Sequence, residues 1–304
     1  MVPICLVTGF LGTGKTTLLK RIVATNQQRR LVYLVNEFSP LDIDGALVSE
    51  EHPEVVSIPG GSIFCRCLVT EFIGQMKDIR KNFGDVDGVV IEASGTADPA
   101  VIADMLEETG LAKEYTLARV VCIVEPRSFL RLIHTLPNII RQTKAADVVL
   151  LNKCDLYDEA TLAETETELR KINPTLHIER CVRCQTDLPI FPETAPESRD
   201  LHGDYAKCRD PHYATFAMAP NHPVNPETLH SFIKANEDTI FRVKGHLDTP
   251  QGPVYFDYSK SGIHTEPVPA DSSPRGLAWI CHGQENADRI QRELSDFLAD
   301  SSNK

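Results

Sequence analysis

At 304 residues, 42% of them hydrophobic, the chain is long enough for one large α/β domain and a smaller second one. Its formal charge of −12 argues against nonspecific nucleic-acid binding, because phosphate backbones attract basic surfaces. No apolar run reaches the length of a membrane span, and nine cysteines, an odd number, read as thiols or metal ligands more readily than as a disulfide framework.

Val2 to Thr8 is a short apolar run that reads as buried strand, not as a signal peptide, since no basic segment precedes it. It leads into Gly9-Phe10-Leu11-Gly12-Thr13-Gly14-Lys15-Thr16, which fits the phosphate-binding pattern G-x-x-x-x-G-K-[ST]. The glycines let successive N–H groups turn inward at the positive end of a helix beginning with Thr17. Lys15 can reach the β- and γ-phosphates, and the Thr16 hydroxyl can join the shell of Mg²⁺.

Short apolar runs then alternate with helical patterns, as in a parallel sheet covered on both faces. Strands are expected at 4–8, 30–35, 55–58, 88–92, 118–124, 148–151 and 177–180, with helices at 15–26, 68–82, 99–110, 126–134, 137–144 and 159–172. Val35-Asn36-Glu37-Phe38 follows the second strand, where a switch loop would sit. Glu37 is a candidate ligand for Mg²⁺ or a second metal, and an ordinary solvated loop acid fits the pattern equally. In Val89-Val90-Ile91-Glu92-Ala93-Ser94-Gly95 an acid stands at a strand's C-terminal end, so Glu92 could hold Mg²⁺ through water and the Gly95 N–H could sense a γ-phosphate. Leu151-Asn152-Lys153-Cys154-Asp155 carries N-K-x-D directly after a buried strand. The Asp155 carboxylate can accept two hydrogen bonds from guanine, whereas adenine turns an acceptor toward it, a loss of about 1–3 kcal/mol. The motif therefore favours GTP over ATP.

Residues 191–211, rich in Pro, acids and small polar residues, read as a linker between a domain at 1–190 and one at 212–304. The second domain is expected to be α+β, with strands at 213–219, 240–247, 253–258, 263–268 and 276–282 and helices at 226–235 and 285–298. Its histidines at 246, 264 and 282 could share a sheet face. Cys181 and Cys184, in C-x-x-C spacing, together with Cys208 and His212 supply four N/S donors, a set that suits structural zinc joining the domains; two unrelated pairs in loops is the plainer alternative. Cys5, Cys122 and Cys154 lie in or beside expected core strands and read as buried thiols.

The chain resembles the CobW family of metal-trafficking P-loop GTPases, relatives of the urease and hydrogenase nickel-insertion GTPases. The matching pieces are GFLGTGKTTLL (9–19), VNEF (35–38), IDG (43–45), IPGG (58–61), VVIEASGTADP (89–99), LNKCDL (151–156) and, in the second domain, IFRVKGHLDT (240–249). The resemblance implies an α/β P-loop NTPase sheet with helices on both faces plus a smaller α+β domain. It also implies GTP hydrolysis coupled to zinc or cobalt handling, a client metalloprotein as partner and a cytoplasmic setting, and it admits a homodimer. The phosphates and base would fall to Gly9, Gly12, Thr13, Gly14, Lys15, Thr16, Thr17, Gly95, Asn152, Lys153 and Asp155. Catalysis would rest on charge stabilisation by Lys15 and by Mg²⁺ at Thr16 and Glu92, with water oriented by Glu37 and Glu92, and intrinsic turnover would be slow. One departure concerns the transition metal. After Gly60-Gly61 the family carries C-x-C-C, whereas Ser62 and Phe64 stand here in the first two thiol positions, Cys65 keeps the third and Cys67 is added. Two thiolates one residue apart can still face one ion, with Glu37 as a third donor in an open, exchangeable site.

Overall fold

The structure, a computed structural model, describes residues 1–37, 55–59, 69–192, 201, 203, 212–260, 262–270 and 275–301. These separate into two compact units. In the first, strands β1 (Val2–Gly9), β2 (Leu31–Glu37), β3 (Val55–Pro59), β4 (Gly88–Glu92), β5 (Tyr115–Val124), β6 (Val148–Leu151) and β7 (His177–Arg180) form one sheet in the order β3-β2-β4-β1-β5-β6-β7. All neighbouring pairs run parallel.

Alternation along β1 explains why its sequence is apolar without a break. Ile4 and Leu6 point into a core shared with Phe72, Met76 and Ile79 of α2 (Val69–Phe83) and Ile102 and Met105 of α3 (Val101–Glu108). Cys5 and Val7 point the other way, against Leu18, Leu19, Ile22 and Val23 of α1 (Lys15–Thr25). A strand covered on both faces leaves little room for polar side chains. Among the described residues the unit has three more α-helices: α4 (Pro126–Leu132), α5 (Pro137–Ala145) and α6 (Glu159–Ile172). The start of α6 is fixed by Asp158, whose carboxylate accepts from the Thr161 N–H at 2.9 Å, and its end by Asn173 before Pro174.

Several boundaries shift by a few residues from expectation, and in two of them the sheet shows why. β2 continues through Asn36 and Glu37, placed above in a loop, because β3 pairs with them as Asn36↔Ile58 and Glu37↔Pro59. β5 begins at Tyr115, three residues ahead of Ala118, because β1 extends the ladder down to Val2↔Tyr115.

The second unit is an antiparallel sheet of β8 (Ala214–Met218), β9 (Ile240–Thr249), β10 (Gly252–Ser259), β11 (Gly262–Pro267) and β12 (Gly276–Cys281) in the order β11-β10-β9-β12-β8. Helices α7 (Pro226–Ala235) and α8 (Gln284–Ser301) cover one face. Trp279, fully buried, anchors this core, stacked on Phe216 and edge-on to Phe232; burying a large side chain of this kind contributes about 1.5–3 kcal/mol. His246 pairs with Tyr255 and His264 with Asp257, which puts both histidines on the opposite sheet face. His282 lies beyond the end of β12.

Candidate nucleotide site

Parallel strands deliver their C-terminal ends to one edge of the sheet. The strand order departs in opposite directions from β1, with β4 and β2 on one side and β5 to β7 on the other. A crevice forms at such a reversal, and α/β sheets take their ligands there. The loops after β1, β4, β6 and β7 meet at this edge.

Gly14 precedes α1 with φ +118, a backbone region that disfavours side chains, and a Cβ there would stand 2.6 Å from Asn152 Nδ2. No side chain caps α1, so its first-turn amides turn toward the loop. A glycine turn closing on helix amides fits a polyphosphate group. Lys15 is buried and lies back across the loop, its Nζ donating to Gly9 O at 3.0 Å and Phe10 O at 3.2 Å. Thr13 Oγ1 donates to Phe10 O at 2.9 Å. Thr16 is half-buried and Thr17 exposed.

Glu92, 2% exposed, ends β4 between Val7 of β1 and Val35 of β2. Beyond it the chain folds against the phosphate loop, since a Cβ on Gly95 would sit 2.6 Å from Leu11 Cδ2 and 2.9 Å from Leu11 N. That loop is held from α5. Gln142 Nε2 donates to Gly95 O and to Ala97 O, both at 3.1 Å, and Arg141 pairs with Asp98 at 3.4 Å. Gln142 was not singled out in the sequence. Its signal was a polar residue three positions after Ile139, on the inward stripe of an amphipathic helix.

Asn152, 2% exposed, does not face outward with its motif. Its Nδ2 donates to Thr13 O at 2.8 Å, and its Oδ1 accepts from the Cys184 N–H at 2.9 Å. Lys153 takes a left-handed conformation with φ 63, which turns the chain so that Asp155 stands exposed. Tyr157 donates its hydroxyl to Glu125, whose carboxylate also caps α4 by accepting from Ser128 N at 2.9 Å. Cys122, behind the phosphate loop, has its thiol pushed up to about 12 by burial, against the opposing charge of Lys15.

Cys181 and Cys184 are both buried against these loops, with Asn152 and Gly14 as partners. A hydrogen bond from Cys184 holds the Cys181 thiol below its ordinary range, and the same contact together with burial raises Cys184. Cys208 lies outside the described residues, and His212 belongs to the second unit, where its ring stacks on His282 with centroids 6.2 Å apart. Cys65, Cys67 and the side chain of Glu37 also lie outside them. Among the described residues no three His, Cys, Asp or Glu side chains converge as a metal site, and no helix is long and apolar enough to cross a membrane. Cys154, expected as a buried thiol, is only partly covered, with Sγ donating to Leu151 O at 3.0 Å.

The fold and this edge define a P-loop nucleotide-binding domain followed by an antiparallel α+β domain. Residues 3–180 match the family described as CobW/HypB/UreG, nucleotide-binding domain, and residues 213–298 match the cobalamin synthesis protein cobW C-terminal domain. The chain belongs to the CobW/HypB/UreG family. It is similar to the zinc chaperone CobW of Pseudomonas aeruginosa, at 29% identity over 66% of this chain and 62% of that one. It is also similar to two Escherichia coli proteins: the zinc chaperone YeiR (33% identity, 55% of this chain, 49% of that one) and the zinc chaperone YjiA (27%, 92% and 82%). The chain thus spans less than two thirds of the length of the first two, 62% and 49%. A solved structure, the Zn(II)-bound YjiA GTPase from E. coli, matches over 97% of this chain and 98% of that one, with 19% identity and a TM-score of 0.47.

Proposed function

We propose that this chain binds and hydrolyses GTP, and that the nucleotide governs the loading and release of a transition-metal ion, zinc or cobalt, for a client metalloprotein. The observation that carries the nucleotide half is the Asn152 brace, in which one amide ties the phosphate loop to the loop that would read the base. In this reading Gly9, Gly12, Thr13, Gly14, Lys15, Thr16 and Thr17 take the phosphates, Gly95 senses the terminal one, and Asn152, Lys153 and Asp155 shape the base pocket. Lys15 exchanges the Gly9 and Phe10 carbonyls for phosphate oxygens. Asp155 is exposed, so it discriminates guanine from adenine only once the base covers it. Thr16 and Glu92 would hold Mg²⁺, which supplies charge neutralisation to the phosphates. Residues 1–190 do this work, 191–211 serve as linker, and 212–304 form the accessory domain.

The metal half draws support from relatives named as zinc chaperones and from Cys65, Cys67 and Glu37, which follow β3 and end β2. A second reading, a regulatory GTPase without metal transfer, is favoured by Ser62 and Phe64 at positions where the family pattern has thiols. Metal titration in the GTP and GDP states separates them: nucleotide-dependent binding supports the chaperone, and nucleotide-independent or absent binding supports the switch. For the nucleotide itself, a folded Lys15→Ala/Asp155→Ala protein that keeps the parent's affinity for GTP removes the reading. ATP competing as well as GTP removes the assignment of Asp155.

A further inference from the structure

The C-x-x-C turn after β7 has no task in the nucleotide reading. Its ends are buried, Cys181 at 6% exposure and Cys184 at 0%, while Val182 and Arg183 between them are exposed. The backbone of Cys181 is knitted to the N-K-x-D loop from both sides: its N–H donates to Leu151 O at 2.8 Å and its carbonyl accepts from Cys154 N at 3.2 Å. Both thiols continue that link. Cys181 Sγ donates to Asn152 Oδ1 at 3.6 Å and Cys184 Sγ to Gly14 O at 3.4 Å, each with its one S–H, and the two sulfurs stand close enough for one thiol to donate to the other's thiolate. Arg183 and Cys184 are held at φ 50 and 54, sparsely populated for residues with a Cβ. The thiol hydrogens thus help to place the two residues, Gly14 and Asn152, on which the phosphate loop and its brace depend.

We infer that Cys181 and Cys184 form a thiol-modification site, a dithiol whose closure to an intramolecular disulfide loosens Asn152 and Gly14 and weakens nucleotide binding. The inference rests on the nucleotide reading above. Its co-reactant is a small disulfide of the glutathione class. The Cys181 thiolate attacks one sulfur of that disulfide, forming a mixed disulfide and expelling one small thiolate. The Cys184 thiolate then attacks the Cys181 sulfur, expelling the second small thiolate as the 181–184 bond forms. Two electrons pass from the protein to the small disulfide, and the two thiol protons end on the two expelled thiols. Closure removes both S–H donors, so Asn152 Oδ1 and Gly14 O each lose a partner. Because coupling is reciprocal, bound GTP protects the dithiol. Zinc would need four donors in a closed site, and the pair supplies two.

The test equilibrates the full chain, nucleotide-free, with graded ratios of reduced to oxidised glutathione. Peptide mass mapping locates the disulfide, and titration with a fluorescent GTP analogue reads affinity. The expected result is a 181–184 link, affinity lowered about 10-fold as for one or two neutral hydrogen bonds, full recovery with dithiothreitol, and slower closure when GTP is present. A Cys181→Ser/Cys184→Ser variant cannot form the link and is expected to show one affinity, whatever its value, at every glutathione ratio. The inference is overturned by absence of the link, by a link that leaves affinity unchanged, by a loss that persists in the serine variant, or by stoichiometric zinc held on the reduced pair. Reduced protein that does not bind the analogue at all is a distinct outcome, and it overturns the nucleotide reading itself.

Discussion

Replacing Asn152 by alanine tests the brace that joins the two nucleotide loops. The side chain is 2% exposed, donates to Thr13 O at 2.8 Å and accepts from Cys184 N at 2.9 Å. Thr13 and Cys184 are themselves buried, at 2% and 0% exposure, so alanine strands one acceptor and one donor away from water. Each buried group left unsatisfied costs about 1–3 kcal/mol, and partial relaxation brings the pair to about 2–4 kcal/mol. The Cys181 thiol, a weak donor to Asn152 Oδ1 at 3.6 Å, loses its acceptor as well and adds a smaller amount. A unit of this size shifts by roughly 2–4 °C per kcal/mol, which places the expected fall in melting temperature at about 5–15 °C. Asn152→Asp keeps the acceptor for Cys184 but sets a carboxylate against the Thr13 carbonyl, so it is expected to be at least as damaging. Calorimetry of nucleotide-free protein reads the shift, and GTP titration reads the consequence for the site. If the alanine variant melts within a degree of the parent and binds GTP as tightly, the two loops do not depend on one another and the argument fails.

Three further outcomes are expected. Gln142→Ala withdraws one donor shared by Gly95 O and Ala97 O, so affinity for GTP falls about 3- to 10-fold while affinity for GDP holds; equal losses for both would place Gln142 in general stability only. Burial raises the carboxyl of Glu166 but hydrogen bonds from Arg180 and Arg170 pull it further down, below its ordinary 4.5. A group with a depressed folded pKa stabilises above the unfolded value and loses that contribution as pH falls through the folded one. Glu166→Gln therefore lowers the urea midpoint slightly at pH 7, and the gap narrows as pH falls below 4.5; a gap that widens in acid contradicts this. The thiols of Cys122 and Cys281 are each raised to about 12 by burial, so at pH 8 both resist iodoacetamide in the folded protein and react in urea; prompt alkylation of either in the native state refutes the burial argument.

Much of the architecture was readable because burial on two faces removes choice. β1, β4 and β6 admit little but apolar residues, so they announce themselves as strands. The end of β2 was less legible: Asn36 and Glu37 look like loop residues, and only their pairing with β3, a partner more than twenty positions away, keeps them in the sheet. The phosphate loop was legible because a left-handed turn demands glycine at position 14. Asn152 was found for a different reason from the one the structure displays. Its motif pointed to the base, whereas its amide reaches back 139 positions to Thr13. The C-x-x-C spacing suggested half of a zinc site, but spacing carries no direction, and the thiols turn inward upon Asn152 and Gly14. Gln142 acts across a fold that local pattern cannot draw.

The strand order also bears on how the chain is made. β1, made before the other strands of its sheet, pairs with β4 and β5 and not with its successor β2. It has no strand partner until β4, ending at Glu92, is made, and both its edges are covered only once β5 reaches Ile123, roughly 6–23 s after β1 itself at ordinary translation speeds. During that interval an oily segment lies open to mispairing, and the non-local contacts that finally enclose it come at a high loop-closure entropy. Destabilising substitutions in β4 or β5 should thus reveal themselves first as poor yield of newly made protein, before any defect in the finished molecule.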